Sequence, residues 1–475
     1  MEQIPQRPAN PRRRKKSQMQ IFKETYLPLL IVSMAVLLIL VFIVGALVRA
    51  VSNYNEREAQ RKQNNKDRIA QQQMLEQEAQ EISQKAALAA AGYDYDGAIA
   101  IIKGFSGQES DFPQLGQQRI GYLQQKNQLT AWDDPSKIPN YSVRMLIADP
   151  DRAFQDDKYL SSFTRNFLTT EEFRNILQAL YDNGYVLVSM EDVFTTRQTA
   201  DGQWIYEANT IYLPEGKTPF ILTQTNVNYH TYLVDGSDED KYPDGEGRGF
   251  ASKLILQDGK PVNEYVDAQG TTHTGAYDMI PILEEFIAGH PDFSYRGARA
   301  IIAVTGYDGL FGYRTNSEAE QEFGAAIYEQ ELEGARTIAR ALTDIGYELA
   351  CYTYEEKAYG GMSASEIRAD LSGWTTEVIN ILPDVDIFVY AKNSDVGPEN
   401  GYYNDTRLTI LTDAGFSRFV GYATAGNPWA VITDSYIRQG QILLNPNTVT
   451  YHPDWFGNAF DAQEILDPNR GDIPA

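Results

Sequence analysis

Cysteine occurs once, at Cys351, and histidine four times, at His230, His273, His290 and His452. One thiol excludes a disulfide framework, and no lipid-attachment cysteine follows the N-terminal apolar run. No G-x-S-x-G string occurs, and Ser363 and Ser365 follow a glycine pair with no histidine nearby in sequence, so a serine nucleophile is not indicated. Cations are also scarce: 41 Lys and Arg face 65 Asp and Glu, a formal net charge of −24. Setting aside seven cations and two anions before residue 25 leaves 34 cationic against 63 anionic side chains, a net of −29. Binding a phosphate backbone is driven by cationic side chains that release counterions, so nucleic acid is excluded as a partner.

What is present begins with an apolar run. Tyr26 to Val48, 23 residues, holds no charged, amide or imidazole side chain, and a helix needs roughly 20 such residues to cross the hydrocarbon core of a bilayer. Arg7, Arg12, Arg13, Arg14, Lys15, Lys16 and Lys23 precede it against Glu2 and Glu24. That asymmetry predicts a cytoplasmic tail over 1–25, a transmembrane helix over 26–48 and an extracellular remainder. A cleaved signal peptide fits less well, because its apolar core is typically about 7 to 15 residues and ends in a small-x-small site. Residues 49–89, rich in Gln, Glu, Lys, Arg and Ala and free of Gly and Pro, predict a solvated helical stalk. A small helical or linker region is expected over 90–137.

Further on, one local signature occurs three times: Leu180-Tyr-Asp-Asn-Gly184-Tyr185, Leu342-Thr-Asp-Ile-Gly346-Tyr347 and Leu411-Thr-Asp-Ala-Gly415-Phe416. Each follows an amphipathic run and precedes an apolar one, which predicts a helix ended by a left-handed glycine before a strand. Thr169 with Glu172 predicts a capping box ahead of Phe173, Ile176, Leu177 and Leu180. Strands are expected over 185–189, 220–223, 300–305, 347–351, 386–390, 416–420 and 430–433. Alternation of strands with helices over 138–468 predicts a (β/α) barrel, whose ligands sit at the C-terminal strand ends.

Several segments, in order, carry a resemblance: Met145-Leu-Ile-Ala-Asp-Pro150, Tyr185-Val-Leu-Val-Ser189, Leu213-Pro-Glu-Gly-Lys217, Val304-Thr-Gly-Tyr-Asp-Gly309 with Gly312-Tyr-Arg-Thr315, and Gly346-Tyr-Glu-Leu-Ala350. The chain resembles the polysaccharide deacetylase (NodB-homology) family, which implies a distorted (β/α) barrel acting on N-acetylglucosamine polymers. In active members one strand ends in two aspartates, a catalytic base and a metal ligand; Thr225 and Asn226 occupy that pair here. Two histidine ligands of the family correspond to Tyr352 and Glu356. A threonine hydroxyl is no base near neutral pH, and an amide is a far weaker metal ligand than a carboxylate. Phe388-Val-Tyr-Ala-Lys392 and Leu443-Leu-Asn445 lie where the family's remaining motifs belong and reproduce neither. The resemblance therefore implies no metal, no cofactor and no catalytic residue: a pseudoenzyme that binds cell-wall or other N-acetylated glycan, or scaffolds a partner.

Other readings stand beside it. His230 is a candidate replacement ligand or base, though a lone histidine in a polar loop is more often simply solvated. Asp308 and Asp395 both follow strands and are candidates for a glycosidase pair, against a turn role for Asp308. Among 30 tyrosines, Tyr229, Tyr313 and Tyr390 stand at strand ends as candidate sugar-stacking faces, with Arg314 beside them to satisfy hydroxyls. An active deacetylase or glycosidase with a rearranged site, and a protein-interaction module at the cell envelope, remain as alternatives. The acidic stretch 235–246 lacks the calcium-loop alternation and is expected to be a solvated loop.

Overall fold

A computed structural model describes residues 17–155, 159–234, 248–383, 385–467 and 470–473. The acidic stretch at 235–246 and most of the basic tail lie outside the described residues. The chain divides into two compact units, one ending at Glu81 and the other beginning at Ile82. A helix covers Gln18–Ala91, and its apolar part is long and apolar enough to cross a membrane. From Leu27 to Val51 its large apolar side chains are exposed.

In the second unit seven parallel strands close into a barrel: β1 (Asn140–Val143), β2 (Thr218–Thr225), β3 (Ile301–Val304), β4 (Glu348–Cys351), β5 (Ile387–Val389), β6 (Arg418–Tyr422) and β7 (Ile437–Leu443). Each pairs with the next in sequence, and β7 pairs with β1 to close the ring. Tyr185–Leu187 is not a barrel stave; it pairs along the first half of the β2 edge, which β3 takes over from Thr223 onward. Ala430–Ile432 is likewise an antiparallel partner of β7 outside the ring. Antiparallel ribbons are inserted ahead of β2 (Phe194–Gln198 with Trp204–Ala208) and after it (Lys253–Gln257, Lys260–Val266, Thr272–Gly275).

The joints between helix and strand form as their residues dictate. Helices Thr170–Asp182, Ala325–Asp344 and Thr406–Asp413 end before Gly184, Gly346 and Gly415, whose φ values are 79°, 105° and 99°. Thr169 and Glu172 form the reciprocal capping box. A Cβ on Gly346 would also stand 2.9 Å from the Gly297 carbonyl oxygen. Gly346→Ala is therefore expected to cost about 1–3 kcal/mol, the range for a non-glycine residue in such a conformation. Gly121→Ala, in helix Pro113–Lys126 with nothing within 4 Å, should instead stabilise by about 0.5–1 kcal/mol. Paired denaturation curves check both signs.

Two apolar cores follow from strand alternation. Tyr141, Val143, Phe220, Leu222, Ile302, Val304, Phe388 and Phe419 point out beneath the helices. Ile221, Ile301, Ala303, Ala350, Ile387, Val389 and Val420 belong to the cluster that fills the barrel.

Candidate ligand site at the barrel mouth

The interior is not apolar all round. On the adjacent strands β7, β1 and β2 the inward positions carry Gln439 and Gln441, Asn140 and Ser142, Thr223 and Thr225, all buried. The lower layer closes on itself: Thr223 Oγ1 donates to Asn140 Oδ1 (2.8 Å), Asn140 Nδ2 to Gln439 Oε1 (3.3 Å) and Gln439 Nε2 to the Ile138 carbonyl (3.3 Å). Buried polar groups are normally paired in this way. The upper layer departs from the rule, because Ser142 Oγ and Gln441 Oε1 have no hydrogen-bond partner among the described residues. Above them, at the C-terminal strand ends, lies a cavity of about 100 Å³ bounded by Ser142, Thr225, Tyr352 and Gln441 and rimmed by Arg144, Asn166, Lys392 and Asn445.

The same rim concentrates unusual backbone. Asn226, Tyr229, Thr353, Glu356, Lys392 and Asn393, following β2, β4 and β5, all hold φ between 51° and 65°. Left-handed conformations cost a non-glycine residue roughly 1–2 kcal/mol each. Such strain tends to gather at functional sites.

Beside the cavity the four positions matched to the deacetylase motifs come together. Thr225 and Tyr352 line it, and the Tyr352 hydroxyl accepts from the Lys392 backbone N–H at 3.3 Å. Asn226 Nδ2 donates to Glu356 Oε2 at 3.3 Å. Asn226 Oδ1 must then accept from His230 Nε2, 2.8 Å away, while His230 Nδ1 lies 3.2 Å from Asp308 Oδ2. The imidazole is fully buried and stacks on Tyr307 and Tyr232, with ring centroids 4.9 and 5.8 Å apart. Asp308 also accepts from Thr231 N–H and Oγ1 at 2.8 and 3.0 Å and lies 3.4 Å from Arg314. Burial alone would raise its carboxyl, but the His230 hydrogen bond and the charges of Arg314 and His230 outweigh it and hold it below the usual value. The Tyr232 hydroxyl is pushed up to about 12, by burial first and by the charge of Glu356 second.

His230 is thus not a lone solvated residue, and its coupling to Asp308 is a feature the sequence did not disclose. The remaining candidates have structural duties. Arg314 donates to the carbonyls of Asp308 (2.6 Å) and Tyr229 (2.8 Å) and clamps the loop after β2. Tyr229 is fully buried, its hydroxyl donating to Asp278 Oδ2 at 2.8 Å, so it offers no face to a sugar. Tyr390 is buried among Phe388 and Phe419 on the outer side of β5. Tyr313 packs beneath the Lys253 ammonium, 4.3 Å from its ring centre. Asp395 is held by Arg438 at 2.8 Å, so the two aspartates considered as a glycosidase pair are committed to separate cations.

A larger hollow of about 380 Å³ opens at the opposite end of the barrel, around Glu348 and Arg418. Its central cation is already paired, since Arg418 meets both Glu348 and Asp386. The mouth is where unpaired polar groups converge. Missed in the sequence reading are Ser142, Arg144 and Gln441, and the only signal for two of them was a polar residue recurring at every second position of a strand.

No protein-family model, curated protein or solved structure matches the chain. The donors at the mouth do not suit the divalent metal that active deacetylases hold. Asn226 has already lent its one acceptor oxygen to His230, Glu356 accepts from Asn226, and Tyr352 is a phenol whose pKa burial has raised. Among the described residues no three of His, Cys, Asp and Glu converge.

Proposed function

We propose that the chain is a membrane-tethered barrel of polysaccharide-deacetylase type whose mouth binds an envelope glycan without hydrolysing it. The apolar helix over 26–48 would hold it in the bilayer with the basic tail in the cytoplasm, leaving the barrel outside. One observation carries the non-hydrolytic reading. A histidine–aspartate pair is familiar catalytic machinery, in which the far ring nitrogen takes a proton from water or a hydroxyl. Here that nitrogen, Nε2, already donates to the Asn226 amide oxygen at 2.8 Å, and an amide cannot pass the proton on. The pair is insulated from the cavity, and Thr225 offers no base in its place.

The purified full-length chain should bind N-acetylglucosamine oligomers weakly, near millimolar, since a few hydrogen bonds at an open mouth supply only about −4 kcal/mol. It should release no acetate from them above the buffer rate. Acetate release stimulated by a divalent metal and lost in Glu356→Ala would establish a working hydrolase instead. Absence of binding at ten millimolar, read by calorimetry, would leave the protein-interaction module as the better account.

A further inference from the structure

We infer that the cavity at the mouth is a site for an oxyanion, an exocyclic carboxylate or phosphoester on a sugar that also offers a hydroxyl. This deepens the glycan-binding reading and rests on it. Two cations rim the cavity, Arg144 after β1 and Lys392 after β5. Neither side chain has a carboxylate partner among the described residues; Arg144 lies over the Phe167 ring at 5.6 Å. In a domain whose acidic residues outnumber its basic ones so heavily, two unneutralised cations at one opening are unexpected on charge alone. Glu356, tied to Asn226 by a hydrogen bond, forms no ion pair with either cation among the described residues.

The floor gives the second, independent observation. Ser142 is 3% exposed and Gln441 1%, both line the cavity, and neither Ser142 Oγ nor Gln441 Oε1 is satisfied. A buried polar atom left unpaired has given up its water without gaining a partner. A ligand makes good that loss if it brings an acceptor to the serine O–H and a donor to the glutamine oxygen. An oxyanion supplies the first and a neighbouring hydroxyl the second, so free acetate, which has no proton to donate, satisfies only half the site. Asn445 adds a further donor, because its Oδ1 is occupied in accepting from Thr448 N–H at 2.9 Å while its Nδ2 has no bond to a described residue. Size sets the rest: about 100 Å³ is well below the roughly 300 Å³ at which pockets begin to enclose whole small molecules. One carboxylate or phosphate group fits inside, and the sugar ring stays at the rim.

The test titrates the full-length chain in detergent with glucose, glucuronic acid, glucose 6-phosphate, acetate and inorganic phosphate. At least one acidic sugar should bind tenfold or more tighter than glucose, and more tightly than the matching free anion. Which acidic sugar wins assigns the source as carboxylate or phosphoester. The advantage should vanish in Lys392→Gln, an exposed position chosen so that folding is unaffected, and in Arg144→Gln, and it should shrink between 0.15 and 1 M salt. Equal affinity for glucose and both acids, or an advantage indifferent to both variants, overturns the oxyanion site. The glycan reading would survive that result if N-acetylglucosamine oligomers still bound. Conversely, binding of an acidic sugar without any binding of those oligomers would support the oxyanion site and remove the N-acetylated glycan.

Discussion

Arg470→Ala is expected to destabilise the barrel unit by about 3–5 kcal/mol, the cost of removing one partner of a buried ion pair. Arg470 and Glu172 are 2% and 0% exposed as side chains, and Nε reaches Oε1 at 2.6 Å while a terminal nitrogen reaches Oε2 at 2.8 Å. The guanidinium also donates to the carbonyls of Thr164 and Phe167 at 2.5 and 2.9 Å. Glu172 sits in the first turn of helix Thr170–Asp182 and accepts from Thr169 N–H at 2.8 Å, so it anchors the helix cap as well. Truncating the arginine leaves a carboxylate in the interior with its strongest donors gone and two carbonyls unpaired. Glu172→Gln with Arg470→Met should recover much of the loss, because no uncompensated charge remains. Urea denaturation of the parent and the two variants decides the matter, and a loss below about 1 kcal/mol in Arg470→Ala would mean that the pair is solvated.

What the sequence disclosed of this fold divides along physical lines. The three Leu-x-Asp-x-Gly-aromatic joints were legible because helix termination by glycine is local, requiring no knowledge of partners. Strands β2 to β6 were legible because each carries a short apolar run, Phe220 to Leu222 in β2 even though Thr223 and Thr225 follow on its inward face. Strands β1 and β7 were not expected, and these are the ones whose inward faces carry Asn140, Ser142, Gln439 and Gln441. A strand that turns amides into a barrel breaks the apolar run by which buried parallel strands are recognised. The site shows the same division. Thr225, Asn226, Tyr352 and Glu356 were named through a resemblance and do adjoin one another, but the His230–Asp308 contact spans 78 positions and leaves no local trace. Tyr390 was misplaced by parity. It shares a face with Phe388, which points outward, whereas Tyr352 shares the inward face of Ala350, and strand-end position alone does not say which face is which.

The second large effect concerns Asp278, a carboxylate that holds the mouth from behind. It is fully buried at the start of helix Met279–Gly289 and accepts from Leu146 N–H (2.9 Å), Gln224 Nε2 (2.7 Å) and the Tyr229 hydroxyl (2.8 Å). Those donors tie the chain after β1 and the end of β2 to one point, just ahead of Asn226. Burial raises its pKa from 3.8 to about 6, more than the hydrogen bonds from Met279, Tyr229, Leu146 and Gln224 lower it. Between those two values the folded chain keeps a proton that the unfolded chain has released. The group's contribution to stability is therefore full below pH 3.8 and is lost as pH rises through about 6. A difference of about two units corresponds to roughly 3 kcal/mol at neutral pH. Asp278→Asn cannot ionise, and it loses an acceptor for at least one of three donors at every pH. Its deficit relative to the parent should accordingly be greatest below pH 3.8 and shrink by about 3 kcal/mol by pH 7.5, about 2 kcal/mol of it above pH 4.5. Comparing the two proteins at each pH cancels Glu348, whose carboxyl burial pushes up to about 7 in both. A deficit constant to within about 0.5 kcal/mol would show Asp278 ionised throughout, its three donors having outweighed the cost of burial. In that case the end of β2 would be anchored by a permanent negative charge held by Leu146, Gln224 and Tyr229.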